Sequence, residues 1–224
     1  MGTKRRAILF DIDGTLIVSG GAGATSWRRA FDELYGIPAD IGEFSDIGLT
    51  DPEVATKTFA GVLHRQPSPE EYQKLLGCRL KHLRDAVAES EGYRVLPGVE
   101  AALARLITDG YLLGLVTGNT EAAGHIKLHR AGLNRYFAFG GFGSDSAERS
   151  ELTKIALGRA SLVYGAELSP ADVIAVGDTP HDAEAAHAAG IVCIGVASHK
   201  FSASELQAGG CDEVIRSLEE RLPL

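Results

Sequence analysis

The chain has few cysteines, fewer basic than acidic residues and no long apolar run. Its three cysteines, at positions 78, 193 and 211, are widely spaced and form no C-x-x-C pair, so we expect reduced thiols rather than a disulfide framework. Lys and Arg number 22 against 30 Asp and Glu, for a formal charge of -8. Because binding to nucleic acid or to an anionic membrane requires concentrated positive charge, we expect neither partner. No stretch approaches the length of a membrane span.

The first apolar run, residues 7–10, ends at Asp11 and is too short for a secretory signal peptide. With cysteines expected to be reduced, this predicts a cytoplasmic protein. The composition, 45% apolar and 23% charged over 224 residues, is typical of one full-sized globular domain, or of one domain carrying a smaller insertion. The sequence indicates no oligomeric state, so it is compatible with both a monomer and a dimer.

Several short apolar runs end in small or acidic residues and alternate with helical stretches. They cover residues 7–11, 111–119, 173–178 and 191–196. Such runs are typical of strands buried on both faces, and their alternation with helices indicates a parallel sheet with helices packed on both sides. The predicted fold is therefore α/β, a doubly wound, Rossmann-like parallel sheet.

Residues 18–92 differ in character and are predicted to be all-helical. One helix start is marked by Thr50, which can cap a helix while Glu53 reaches back to it. A later helix is expected to begin after Pro69 and to have an apolar face formed by Tyr72, Leu76, Leu80, Leu83 and Val87. Glycines on both sides of this region suit a hinge. The sequence therefore predicts a small helical domain at 18–92, inserted into a core formed by 1–17 and 93–224.

Two acids, Asp11 and Asp13, directly follow the first predicted strand. Residues two apart on an extended strand point to the same side, roughly 6 to 7 Å from each other. Two like charges at that spacing repel unless a cation lies between them or one of them is protonated. This stretch therefore suggests a metal, a transferable proton, or both.

Polar residues also follow two later predicted strands, with Thr117 and Asn119 after one and Asp178 and Asp182 after the other. Ligands of an open parallel sheet bind beyond the carboxyl ends of its strands, so we expect these residues to share one crevice with the first two acids. Oxygen ligands without Cys or His favour a hard cation such as Mg²⁺. That combination indicates phosphoryl transfer, in which one carboxylate attacks phosphorus and a second transfers protons. Asp11 suits the first role and Asp13 the second.

The sequence resembles the haloacid dehalogenase superfamily on its phosphatase branch. "DIDGT" at 11–15, "VTGN" at 116–119 and "GDTPHD" at 177–182 are similar to the first, second and fourth motifs of that family. The helical insertion is similar to the cap domain of phosphoglycolate phosphatases and β-phosphoglucomutases. The resemblance implies a Mg²⁺-dependent phosphatase that hydrolyses a small phosphorylated metabolite through an aspartyl phosphate.

The resemblance also implies roles for individual residues. Asp11 is the nucleophile and Asp13 the general acid/base, and Thr117 binds the phosphoryl group together with the adjoining Gly118 and Asn119. The magnesium ligands are Asp11, the carbonyl oxygen of Asp13, Asp178 and Asp182, the last as a ligand or as its supporting partner. "DIGLTDPE" at 46–53 is similar in position to the specificity loop of the family, which makes Gly48, Leu49 and Thr50 candidate substrate contacts.

One departure from the family pattern concerns its third motif, a lysine that usually precedes proline. The corresponding stretch "GSDSAERSELTKIAL" has no Lys-Pro pair. By its spacing from Asp145, Arg149 takes the place of the lysine, with Lys154 as the alternative. Arginine keeps the positive charge and can donate two hydrogen bonds to a phosphate, although its planar group is bulkier.

Other functions stay open at this stage. A phosphomutase of the β-phosphoglucomutase kind shares every motif, and the lysine departure leaves room for a phosphate-binding module without turnover. His125 and His129, four apart in "HIKLH", have zinc-like spacing but lack evident further ligands, so we expect a surface helix. Arg28 and Arg29 on the first helix of the insertion are candidates to meet an anionic substrate, although charges opposite an apolar stripe are usually solvated.

Overall fold

The computed structural model describes residues 6–40 and 48–224. In these residues the strands are β1 (Ala7–Phe10), β2 (Ile17–Ser19), β3 (Tyr93–Val95), β4 (Leu112–Thr117), β5 (Phe139–Phe142), β6 (Val173–Gly177), β7 (Val192–Val196) and β8 (Glu213–Ile215). The α-helices are α1 (Ala22–Tyr35), α2 (Asp51–Leu63), α3 (Pro69–Glu89), α4 (Val99–Thr108), α5 (Glu121–His129), α6 (Arg149–Tyr164), α7 (Pro180–Ala188) and α8 (Ala203–Ala208). None of these helices combines the length and the apolar character that crossing a membrane requires.

Six strands form one parallel sheet in the order β5-β4-β1-β6-β7-β8. The central strand β1 pairs with β4 on one side and β6 on the other, so that Phe10 lies between Leu115 and Val176. Every residue of β1 and β6 is buried. The predicted α/β fold with a doubly wound parallel sheet is confirmed, and each predicted apolar run contains one of its strands.

Helices cover both faces of this sheet. Helices α4 and α5 pack on one face through Val99, Leu103, Leu106 and Leu128. Helices α6, α7 and α8 pack on the other through Leu152, Ala156, Ala183 and Leu206. Because neither face meets water, the strands carry continuous apolar runs rather than alternating patterns. The carboxyl ends of β1, β4 and β6 are consequently the part of the sheet where polar side chains are free to gather.

Three helices, α1 to α3, form the insertion and share an apolar core that contains Trp27, Phe31, Val54, Phe59 and Leu75. The second begins with the predicted capping box, since the side chain of Thr50 and that of Glu53 each accept a hydrogen bond from the other's backbone N–H. Ser68 and Glu71 form the same arrangement before α3, with proline at its first position.

The predicted apolar face of α3 packs against the neighbouring helices. Leu83 and Val87 are buried, and Tyr72, Leu76 and Leu80 are partly buried against the apolar clusters of this region. Leu75 and Arg79 of the same helix are also buried, and the prediction did not include them. An apolar pattern does not count an arginine, so it carried no signal for the burial of Arg79.

The chain enters and leaves the insertion through a two-stranded antiparallel ribbon of β2 and β3, in which Ile17 lies opposite Val95. Beyond the ribbon Gly20 and Gly92 meet, and a Cβ atom on Gly20 would fall 2.5 Å from the carbonyl carbon of Gly92. The predicted junctions at 17/18 and 92/93 fall beside this contact. The division into a core and a cap with these boundaries stays a prediction.

Candidate active site

A cavity of about 450 Å³ lies between the carboxyl edge of the sheet and the helical insertion. The loops after β1, β4 and β6 and the start of α6 line its floor with Asp11, Asp13, Thr117, Asp178 and Arg149. These residues come from four distant parts of the chain. The parallel sheet brings them together, as the position of their strands predicts.

Three buried carboxylates form one cluster: an oxygen of Asp11, one of Asp178 and one of Asp182 all lie within 4.8 Å of one another. Burial, followed by repulsion from Asp182, raises the pKa of Asp11 well above its usual value. The same two causes raise the pKa of Asp178 to about 7. A cation between these groups would remove the repulsion. Because all the donors are carboxylate oxygens, the cluster fits a hard divalent cation such as Mg²⁺.

The "DIDGT" stretch also positions Asp178. Gly14 has a φ of 92°, and a Cβ atom there would fall 2.1 Å from Oδ2 of Asp178. Thr15 is fully buried and donates a hydrogen bond to Oδ1 of Asp178 at 3.3 Å. The loop after β1 therefore needs glycine to bring its backbone against the acid from β6.

Asp182 differs from the other two acids because both of its oxygens are already engaged. Oδ2 accepts hydrogen bonds from the backbone N–H and the hydroxyl of Thr179, at 3.0 and 2.8 Å, and so caps α7. Oδ1 accepts from Nη2 of Arg149 at 2.5 Å. These contacts suit a supporting partner better than a direct metal ligand, the two roles that the sequence left open.

Arg149 is partly buried at the first position of α6 and reaches into the cavity. Its Nη2 lies 3.5 Å from Oδ1 of Asp11, and its Nη1 donates to the carbonyl oxygen of Gly48 at 3.1 Å. Lys154, the alternative, is exposed and pairs with Glu151 at 2.7 Å on the outer face of the same helix. The positive charge next to Asp11 is therefore carried by Arg149.

Thr117 is the last residue of β4, Asn119 lies two residues beyond it, and both are buried. Oγ1 of Thr117 accepts hydrogen bonds from the backbone N–H and from Nδ2 of Asn119, at 3.3 and 2.8 Å. No described residue accepts from the Thr117 hydroxyl, which leaves its proton for a ligand. Nδ2 of Asn119 also donates to Oδ2 of Asp13 at 2.8 Å. The side chain of Asn119 thus holds Thr117 and Asp13 in place. Asn119 also lines the cavity, and its contact with phosphate stays a prediction.

Lys127 completes this network and was not found from the sequence. Its buried ammonium donates to Oδ2 of Asp13 at 2.6 Å and to Oδ1 of Asn119 at 2.7 Å. Burial opposes ionisation of Asp13, but Lys127, then Asn119 and more weakly Arg79, outweigh it and lower the pKa of Asp13. Asp13 is therefore ionised at neutral pH in the ligand-free protein. The available signal for Lys127 in the sequence was its place eight residues after Asn119, on the helix that follows β4.

The insertion reaches the site through the residues before α2. Gly48 and Leu49 line the cavity, and their contact with substrate stays a prediction. Thr50 lies behind them as the cap of α2, and its hydroxyl is 3.4 Å from the carbonyl oxygen of Ala147. A Cβ atom on Gly118 would fall 2.6 Å from the carbonyl oxygen of Leu49, so the two loops are in direct contact. Residues 46 and 47 of the predicted loop lie outside the described residues.

Comparison with known proteins agrees with this geometry. Residues 5–190 match the family model of the haloacid dehalogenase-like hydrolases. A phosphoglycolate phosphatase of Neisseria meningitidis is 30% identical over 85% of this chain and 80% of its own length. The fold is similar to that of a predicted phosphoglycolate phosphatase from Haemophilus somnus, with a TM-score of 0.73 and 20% identity over 96% of both chains. A β-phosphoglucomutase from Clostridium difficile gives a TM-score of 0.74 and 19% identity over 96% of this chain and 92% of its own. The chain therefore belongs to the haloacid dehalogenase-like hydrolase family.

Proposed function

We propose that this protein is a Mg²⁺-dependent phosphatase that hydrolyses a small phosphate monoester through an aspartyl phosphate on Asp11. The observation that carries this proposal is the grouping of Asp11 with Asp178, Thr117 and Arg149 on the floor of one cavity. The similarity of this chain to phosphoglycolate phosphatases supports the same reaction. It also supports a small phosphorylated metabolite of the cytoplasm as the substrate.

The phosphate of the substrate would bind between Thr117 and Arg149. Thr117 has a hydroxyl proton without a described acceptor, and Arg149 presents a planar pair of donors that matches two phosphate oxygens. Since Arg149 is fixed by Asp182 and by the carbonyl oxygen of Gly48, it needs little reorganisation to receive the phosphate. A donor fixed in advance stabilises the charge that develops during the reaction.

The metal site would use Asp11, Asp178 and the carbonyl oxygen of Asp13, with Asp182 supporting them through Arg149. Bound Mg²⁺ would neutralise charge on the acids and on the phosphate. The Asp11 carboxylate, whose pKa is raised by burial and by Asp182, would then be ionised and able to attack phosphorus.

Asp13 would transfer the protons of both half-reactions. A phosphate dianion next to Asp13 raises its pKa, which is the direction that protonating the leaving oxygen requires. After the leaving group departs, the ionised Asp13 accepts a proton from the water that hydrolyses the aspartyl phosphate. Lys127 and Asn119 would hold Asp13 at the correct angle for both steps.

The test is phosphate release from p-nitrophenyl phosphate and from a panel of phosphorylated metabolites, including phosphoglycolate, sugar phosphates and nucleotides. We expect Mg²⁺-dependent release by the native protein and loss of at least about 10³-fold in the Asp11→Asn variant, which keeps the size of the side chain but removes the nucleophile. Trapped phosphate on Asp11 without prompt release would support the phosphomutase alternative. Native activity no greater than that of Asp11→Asn would support a phosphate-binding module instead.

A further inference from the structure

A second group of metal-ligating side chains lies on the helical insertion, outside the active site. Glu33 of α1 and Cys78 and His82 of α3 offer a carboxylate oxygen, a sulfur and a ring nitrogen that all lie within 4.8 Å of one another. None of the three residues lines the active-site cavity. Within the described part of the chain, the other group with this property is the active-site acid cluster. We call the new group the α1–α3 cluster.

The positions of these side chains follow from how the two helices pack. Cys78 and His82 are four residues apart on α3, so they lie one above the other on the same face of the helix. Glu33 meets them from α1. The two helices share an apolar core that includes Phe31 and Leu75, which fixes their relative position. The α1–α3 cluster therefore joins residues far apart in the sequence on two helices held together by packing.

The carboxylate of Glu33 is the centre of the cluster. Its Oε2 lies 2.8 Å from Nε2 of His82. Nζ of Lys81 donates to both of its oxygens, at 3.1 and 3.3 Å. Lys81, followed by His82, lowers the pKa of Glu33, so this carboxylate is ionised at neutral pH. An ionised carboxylate, an imidazole and a thiol thus occupy one small region of the surface.

This set of donors differs in kind from the active-site acids. Thiolate sulfur and imidazole nitrogen favour Zn²⁺, whereas Mg²⁺ prefers oxygen ligands alone. Bonds of about 2.0 to 2.3 Å around a tetrahedral zinc place neighbouring ligand atoms roughly 3.4 to 3.6 Å apart. Rotation of side chains that are partly open to solvent can close the present distances, since the side chain of Glu33 is 44% exposed and that of His82 is 16% exposed.

Lys81 and the thiol proton are the two groups that a metal would have to displace. The Lys81 side chain is 63% exposed, so its ammonium can turn into water when Glu33 takes another partner. Burial, followed by the negative charge of Glu33, raises the pKa of Cys78, so its sulfur carries a proton in the metal-free protein. Zinc binding to a thiol releases that proton.

We propose that the α1–α3 cluster binds Zn²⁺ through Sγ of Cys78, a ring nitrogen of His82 and a carboxylate oxygen of Glu33, with water as the fourth ligand. On binding, the three metal–ligand bonds form, the thiol proton passes to solvent and Lys81 gives up its hydrogen bonds to Glu33. Because the ligands come from two helices, bound zinc cross-links α1 to α3 and stabilises the insertion. The site takes no part in phosphate chemistry and does not depend on the proposed phosphatase function.

The test uses Co²⁺ as a spectroscopic probe for the zinc site of the intact protein. The buffer is free of oxygen and contains excess Mg²⁺, which occupies the active-site acid cluster. We expect Co²⁺ to produce thiolate-to-metal charge-transfer absorption and Zn²⁺ to abolish it by displacing the cobalt. Zinc at about 100 times its Kd is expected to raise Tm by roughly 5 to 10 °C in the same buffer.

Variants assign the ligands one by one. Cys78→Ser should lose the charge-transfer absorption, because no other thiol lies in the cluster. His82→Gln and Glu33→Gln should each weaken zinc binding at least about 10-fold. His129→Gln is the matched control: it changes an exposed histidine on a different helix, α5, and should keep native affinity. Circular dichroism melts without zinc check that each variant is folded.

Three results would overturn the proposal. They are no charge-transfer absorption in the native protein, the same absorption in Cys78→Ser, and native zinc affinity in Glu33→Gln. The last variant changes an exposed side chain, so it remains informative if Cys78→Ser does not fold. An equal loss of affinity in His129→Gln and His82→Gln would place the metal outside the α1–α3 cluster and would also overturn the assignment.

Discussion

At the scale of single residues, we infer that the arginine at position 149 takes the place of the lysine of the family's third motif. A lysine reaches a phosphate with one flexible ammonium, whereas Arg149 is fixed by two other contacts before any ligand arrives. Its guanidinium bonds to Asp182 and to the carbonyl oxygen of Gly48, and Nη2 still lies 3.5 Å from Asp11. The charge is therefore kept, and its position is set by neighbours that a lysine would not engage in the same way.

Replacing Arg149 by Ala is expected to lower kcat by about 10² to 10³-fold, because one donor fixed next to the reacting phosphate is removed. Arg149→Lys should recover part of this loss, since it restores the charge without the planar pair of donors. Steady-state rates of p-nitrophenyl phosphate hydrolysis measure the loss in Arg149→Ala and the recovery in Arg149→Lys. Lys154→Ala is the control and should retain native rates, because Lys154 is exposed on the outer face of α6. Equal losses at the two positions would contradict this assignment.

Residue positions at strand ends were predictable, and positions on helices were not. Asp11, Thr117 and Asp178 lie at the carboxyl ends of apolar strands, so the edge at which they meet is implied by parallel topology alone. Lys127 and Arg79 lie within helices, where their burial depends on how a helix is rotated against its neighbours. A pattern of apolar residues carries no information about a buried cation. In the stretch that contains Lys127, the zinc-like spacing of His125 and His129 was the more prominent feature of the sequence.

At the scale of loops and helices, the contact between the loop after β4 and the residues before α2 joins the insertion to the core. The backbone N–H of Asp51 donates to the carbonyl oxygen of Gly118 at 2.7 Å. A Cβ atom on Gly118 would fall 2.6 Å from the carbonyl oxygen of Leu49 and 3.2 Å from Cα of Thr50. Backbone atoms, rather than the ends of flexible side chains, thus set how closely the two parts approach.

Gly118→Ala is expected to push the segment from Gly48 to Thr50 away from the phosphate site. Misplacement by about 1 Å costs on the order of 10²-fold in rate, so we expect kcat/KM to fall 10-fold or more. Gly158→Ala is the control. It adds the same methyl group to α6, where it meets no atom within 4 Å, and should leave activity unchanged while raising Tm slightly. Native kcat/KM in Gly118→Ala would show that the close approach is not needed for turnover.

The elements that the sequence did not predict are short or poor in apolar residues. Strand β5 reads FGGF, and its glycines interrupt the continuous apolar pattern of a buried strand. Strands β2, β3 and β8 have three residues each, too few for any periodicity to be recognised. Such strands form because a neighbouring strand provides hydrogen-bonding partners, and that information is held in the tertiary structure.

At the scale of the whole molecule, the acid cluster links folding to pH and to metal. Burial and the charge of Asp182 raise the pKa of Asp178 to about 7, from a usual value of 3.8. Between these two pH values the folded protein holds a proton that the unfolded chain has released. Raising the pH from 4 to 7 therefore removes stability from the metal-free protein, and a cation that replaces the proton restores it.

The metal-free protein is thus expected to lose thermal stability as pH rises from 5.5 to 7.5, and saturating Mg²⁺ should raise Tm more at pH 7.5 than at pH 5.5. A difference of about 1 kcal/mol between the two pH values would correspond to roughly 2 to 4 °C for a chain of this size. Circular dichroism melts with EDTA or with Mg²⁺ measure all four conditions. In Asp178→Asn, where position 178 no longer titrates, both the pH dependence and the Mg²⁺ effect should shrink. The same Mg²⁺ shift at both pH values, or an unchanged shift in Asp178→Asn, would place the cation elsewhere than at this cluster.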